Sequence, residues 1–289
     1  MNKAERRRRM RRRIHAELAQ RAHRAELERQ AAEPPRSAAP GEFTLPFELA
    51  DDETLEAEAS QAVPEEAHGG ASLPEAQPSA GGAPSPQDIL YRSARQAAQQ
   101  GDTRRAAGIY RELLELDPGH VGARNNLALL LDQTGDHEGA LEQLDRALSR
   151  DPANAQVLTN RGSVLGAVGR FGEAERDLRE ALRLEPGNAD AHFNLGLVIS
   201  RKGLWREAIP YLRRAVELDS SRASAYFYLG EALNHVDDLE GALQSYQRAA
   251  ELRPNSPQAL YGLGIVLDRM NRPEDAAQMY RRSRELAGR

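Results

Sequence analysis

Residues 121–154 read VGARNNLALLLDQTGDHEGALEQLDRALSRDPAN, and this stretch decides the fold. Asn125-Asn126-Leu127-Ala128-Leu129-Leu130-Leu131 opens an apolar stripe at helical spacing that stops before Gly135. His137 to Leu148 carries a second stripe, closed by Asp151-Pro152. The unit is therefore a pair of helices with a glycine turn between them. Stepping outward by 34 residues, Pro118, Pro152, Pro186 and Pro254 fall on one grid, with Ser220 at the missing point. Ala106, Ala140, Ala174, Ala208, Ala242 and Ala276 fall on it too. A small-residue column runs Ala94, Ala128, Gly162, Gly196, Gly230, Gly264, and a turn column runs Gly101, Gly135, Gly169, Gly203, Asp237, Asn271. The predicted repeats are 87–120, 121–154, 155–188, 189–222, 223–256 and 257–289.

Each column has a physical reason. Gly, Asp and Asn tolerate the left-handed backbone that ends a helix. Alanine and glycine let neighbouring helix axes approach. Proline after the second helix stops its continuation, and Pro257 and Pro273 suit a first helical turn. Pro210 falls inside a helix and is expected to cost one backbone hydrogen bond. The end repeats are more polar than the rest: Ser93 and Ala97 replace leucines, and Ser283 and Arg284 replace Ala and Leu/Val, as outer faces require.

With this period, the Leu195-Gly196 pair, the alanine column and the closing prolines, 87–289 resembles the tetratricopeptide repeat (TPR) family. The resemblance implies an all-α solenoid, a right-handed superhelix of helical hairpins, with a concave groove that binds protein segments.

The rest of the chain differs in composition. Residues 1–36 carry 12 basic and five acidic side chains, 37–86 carry ten acids and no Lys or Arg, and the whole 289-residue chain has a net charge of −5. Nine of the sixteen prolines lie in 34–86, so 37–86 reads as a disordered linker. Within it Phe43-Thr-Leu-Pro-Phe47-Glu-Leu49 is either a short docking motif or leftover apolar residues. Arg6, Arg7, Arg8, Arg9, Arg11, Arg12 and Arg13 sit in an arm of good helix formers with Met10, Ile14, Leu18 and Ala22 at i, i+4 spacing. The arm is expected to be an isolated basic helix. It could meet nucleic-acid phosphates, anionic lipid headgroups or its own acidic linker, or simply be solvated.

On the first helix of each repeat, turning about 100° per residue from Leu195, Gly196 and Ile199 places a neighbouring face that TPR architecture turns inward. That face carries an asparagine column, Asn126, Asn160 and Asn194, and a ring column, Tyr91, Phe193, Phe227 and Tyr261, interrupted by Asn125 and Thr159. An asparagine amide both donates and accepts, so a ladder of them can hold an extended backbone irrespective of its sequence. A similar ladder occurs in the TPR domain of O-linked N-acetylglucosamine transferases. The alternative is that these amides face solvent or cap a neighbour. The rings can receive apolar side chains or pack internally. Asn160-Arg161 is similar to part of the carboxylate clamp of chaperone-binding TPRs, but Asn125, Leu129, Asp190 and Asn194 stand where the rest of the clamp belongs.

No catalytic constellation is legible. Cysteine is absent, the seven histidines lack metal-ligand spacing, and Gly262-Leu-Gly264 lacks the third glycine and the strand of a dinucleotide loop. His192 is expected in the buried stripe and Trp205 in packing just after a turn. No apolar run spans a membrane and no secretory h-region follows the N-terminal arginines. The expectation is a cytoplasmic, non-enzymatic scaffold without cofactors that binds an extended partner segment. The alternative is a nucleic-acid or anionic-membrane adaptor tethered through residues 1–36. A third arrangement joins them, with the acidic 42–58 stretch occupying the groove until a partner displaces it.

Overall fold

A computed structural model describes residues 85–288. The basic arm with Arg6–Arg13, most of the linker, the Phe43–Leu49 motif and the acidic 42–58 stretch lie outside the described residues. The helices are α1 Pro86–Gln99, α2 Thr103–Leu116, α3 Val121–Gln133, α4 His137–Arg150, α5 Ala155–Ala167 and α6 Phe171–Leu184. They continue as α7 Ala189–Arg201, α8 Trp205–Leu218, α9 Ala223–His235, α10 Leu239–Leu252, α11 Pro257–Arg269 and α12 Pro273–Ala287. Each odd-numbered helix pairs with the even-numbered helix after it, and each hairpin packs on the next. This is the all-α TPR solenoid.

The turn column does what its residues allow. Gly101, Gly135, Gly169 and Gly203 all have φ between 75° and 80°, and Asp237 and Asn271 follow at 71° and 58°. Each first helix but one starts on a side-chain cap. The side chains of His120, Asn154, Asn188 and Ser256 accept from the backbone N–H three residues on, and Ser85 forms a capping box with Asp88. Pro210 lies inside α8 and supplies no N–H to its helix.

Small residues let the two helices of a hairpin touch. A Cβ on Gly196 would stand 2.7 Å from the Leu212 Cγ and 3.3 Å from its backbone nitrogen. The core that results is a strip of Ala, Leu and Val running along the array. Its main part extends from Ala128 to Val266, and a smaller cluster from Ala94 to Leu130 covers the first hairpin and α3. Leu131 packs against both.

Successive first helices, α3, α5, α7, α9 and α11, approach one another, whereas no two successive second helices do so to the same extent. A row of hairpins in contact along one edge curves toward that edge. The first helices therefore line the inner face, and the side chains they project there form the candidate site.

Candidate functional site

The inner face is built differently in its two halves. Over repeats 1–3 its polar groups are joined to one another. The Asn126 amide donates to the hydroxyls of Tyr91, 3.2 Å away, and Tyr110, 3.0 Å away. Asn125 donates to the Asn126 oxygen at 3.4 Å, and Asn160 donates to the Asn125 oxygen at 2.7 Å. Gln156 in turn donates to the Asn160 oxygen at 3.2 Å. This chain of side chains uses both N–H groups of Asn126 and much of the capacity of Asn160. Burial, with the Asn126 bond opposing it, pushes the Tyr110 phenol up to about 12. The hydroxyl therefore stays protonated and hydrogen-bonded across the physiological range.

Asn194 on α7 stands in the same column without such partners. It is 8% exposed, and its amide makes no hydrogen bond among the described residues. Phe227 and Tyr261 on α9 and α11 are half-buried at the next two ring positions. Phe227 packs edge-on against Tyr228 at 5.3 Å and Tyr246 at 5.5 Å between ring centres, and Tyr261 leans on Tyr280 at 5.4 Å. Each is supported by another ring and partly exposed, so ring surface, and at Tyr261 a hydroxyl as well, remains for a ligand.

Two ring positions depart from the expectation of ligand-facing aromatics. Phe193 is 1% exposed. Its ring packs against Tyr228, 6.0 Å between centres, and lies under the Arg222 guanidinium at 5.2 Å. It belongs to the core, because a small rotation of the helix moves this column across the boundary between core and inner face. Tyr91 is half-buried and spends its hydroxyl on Asn126, while its ring lies 4.8 Å from His120.

Arg222 is a residue that sequence reasoning missed, although a signal was present. It occupies the cap column of His120, Asn154, Asn188 and Ser256, and α9 has no side-chain cap. Its guanidinium instead pairs with Asp190 at the other end of the same 34-residue repeat and with Asp219 at 3.2 Å. A cation thus closes over Phe193 at the junction of repeats 4 and 5.

His192 also differs from its expected place. It is half-buried, and its Nε2 lies 3.0 Å from the carbonyl of Pro186. Arg124 does the same two repeats earlier, donating from Nε and Nη2 to the Pro118 carbonyl. A polar side chain in this column closes the loop between repeats, which explains why it is tolerated there. Trp205 is half-buried and stacks on His235, with ring centres 3.9 Å apart and planes 4° from parallel.

Arg161 replaces the leucine of its column. Its Nε and Nη2 donate to both oxygens of Asp177, at 2.6 and 2.9 Å, and its Nη1 donates to Asp145 at 2.6 Å. These bonds raise the guanidinium's pKa above its ordinary value. With its donors held this way, Arg161 does not present a clamp for a terminal carboxylate. Among the described residues no group of three or more His, Asp and Glu is placed to hold a metal ion. No described helix is long and apolar enough to cross a membrane.

Family models of the tetratricopeptide repeat match residues 97–159 and 233–287, and a second such model matches 159–203 and 200–257. The chain belongs to the tetratricopeptide repeat family. No curated protein matches it significantly. Among solved structures, PilF of Pseudomonas aeruginosa is 26% identical and superposes with a TM-score of 0.61 over 67% of this chain and 88% of its own. YrrB, a TPR protein with an unusual peptide-binding site, is 28% identical with a TM-score of 0.52, over 61% of this chain and 91% of its own. PilW, a type IV pilus biogenesis factor, is 20% identical with a TM-score of 0.62, over 68% and 91%. At that identity the likeness is one of fold alone. TPR proteins act as protein-interaction scaffolds and the family is generally non-catalytic, which fits an inner face of amides and rings.

Proposed function

We propose that this TPR protein is a non-catalytic scaffold that binds an extended segment of a partner protein along its inner face, chiefly over repeats 4–6. The observation that carries the reading is the contrast within the asparagine column. Asn126 and Asn160 are bonded within the chain, whereas the Asn194 amide keeps a donor and an acceptor for a backbone. Phe227 and Tyr261, one and two repeats further on, offer apolar surface for side chains of the same segment. Asn126, Asn160 and Tyr91 then shape the face rather than grip the ligand, and Phe193 supports it from beneath.

The test is affinity capture from the source lysate with the full chain and with Asn194→Ala/Phe227→Ala. A protein recovered by the wild type is expected to bind the double variant at least tenfold more weakly, roughly the loss of a hydrogen bond and a ring contact. Recovery of the same proteins by both forms, with both forms folded by circular dichroism, would sink the reading.

A further inference from the structure

Between repeats 4 and 5 the inner face opens into a cavity of about 230 Å³. Leu197, Ser200 and Arg201 of α7, Gly203 in the turn, Trp205 at the start of α8 and Tyr228 and Glu231 of α9 line it. We propose that this cavity takes the side chain of a tyrosine from the bound segment. The proposal rests on the interaction reading above and adds the identity of one anchoring residue.

Charge narrows the occupant first. The lining carries one guanidinium and one carboxylate, Arg201 and Glu231, so a charged side chain of either sign meets a like charge as well as an opposite one. A neutral side chain avoids that conflict. Shape narrows it further. Trp205 stacks on the parallel ring of His235, 3.9 Å away, and supplies a flat aromatic wall to a cavity that the aliphatic Leu197 also lines. Burial and then Arg269 hold the His235 pKa below its ordinary value, which keeps the backing ring neutral. A flat ring gains most against such a wall.

The hydroxyl of Ser200 decides between rings. Ser200 is 3% exposed, and its Oγ has no hydrogen-bond partner, not even the carbonyl one turn earlier that a helical serine commonly uses. A buried hydroxyl without a partner is costly, and it needs only rotation about one bond to face the cavity. A phenol brings a ring to Trp205 and a hydroxyl that both donates and accepts for Ser200. Phenylalanine would fill the same space and leave Ser200 unmet.

Trp205 is the one tryptophan in the chain, so its indole N–H is a single resonance at the wall of the cavity. The full chain, labelled with 15N, is titrated with N-acetyl-tyrosinamide, N-acetyl-phenylalaninamide and N-acetyl-argininamide. The tyrosine probe is expected to move the indole resonance saturably and to bind about fivefold tighter than the phenylalanine probe, the worth of one hydrogen bond. In Ser200→Ala the two should bind equally. The proposal is overturned if no probe moves the resonance saturably, if the arginine probe binds tightest, or if Ser200→Ala leaves the tyrosine preference intact. No partner is present in this titration, so its failure is separate from failure of the Asn194→Ala/Phe227→Ala capture.

Discussion

A glycine in a helix normally costs stability, and this array contains glycines where that rule holds and where it reverses. Gly108 lies inside α2, and a Cβ added there would meet nothing within 4 Å, so Gly108→Ala removes only backbone entropy. It is expected to stabilise by about 0.5–1 kcal/mol. Gly196 gains the same entropy term on mutation, but its Cβ would press on the side chain and backbone of Leu212 in the facing helix. Overpacking of this kind costs about 1–3 kcal/mol, so Gly196→Ala is expected to be destabilising on balance. Urea denaturation of the two variants checks the opposite signs. The Gly196 column was legible from the sequence because only small residues occupy it. Phe193 was not, because helical angles alone do not say whether a column at the margin of the core faces in or out. That depends on how far α7 is rotated, and the rotation is set by packing with its neighbours.

At the scale of helices, position along the 34-residue grid predicts a contact only while the residue type stays ordinary. The turn column kept its left-handed backbone even at Asp237 and Asn271, and the helix bounds follow the grid except for one extra residue at the start of α1 and one at the end of α12. Exceptions carry the surprises: Arg222 left the cap column to cover Phe193, and Arg161 left the leucine column to reach Asp177 and Asp145. Arg161→Leu strands Asp177, whose side chain is only 12% exposed, without its counter-charge. The expected loss is about 2–3 kcal/mol, somewhat below that of a fully buried pair. The bond to Asp145 adds little, since that carboxylate is well exposed. The last repeat has Leu263 and Met279 at the positions corresponding to 161 and 177. Arg161→Leu/Asp177→Met should therefore recover stability to within about 1 kcal/mol of the wild type, because an apolar pair of matching volume avoids the desolvation cost. Chemical denaturation of the single and double variants tests this, and a double variant as unstable as the single one would show that the ion pair has a further structural role.

Over the whole array, stability is shared between neighbours rather than concentrated in one centre. The N-terminal edge shows this directly: Ile89 is 50% exposed, whereas Ala123, Val157, Ala191, Ala225 and Ala259, in the same column, are all almost completely buried under a preceding hairpin. The apolar core is nearly divided at the same end, with the cluster of α1, α2 and α3 joined to the longer strip through Leu131. The side-chain chain from Tyr91 and Tyr110 through Asn126 and Asn125 to Asn160 crosses that division and ties α1 and α2 to α3 and α5. Asparagines that looked in the sequence like a ligand ladder thus hydrogen-bond, in repeats 1–3, to one another and to tyrosines of the first repeat. Asn125 is the middle link, and Asn125→Ala removes its bonds to Asn126 and Asn160 together. The coupling lost is expected to be about 1–3 kcal/mol, since one buried amide loses its acceptor. In a nearest-neighbour array that loss stays local. Hydrogen exchange should accelerate in α1, α2 and α3 while α7 to α10 keep wild-type protection. Uniform acceleration along the array would mean that the repeats unfold as one unit and that the amide chain does not set the boundary.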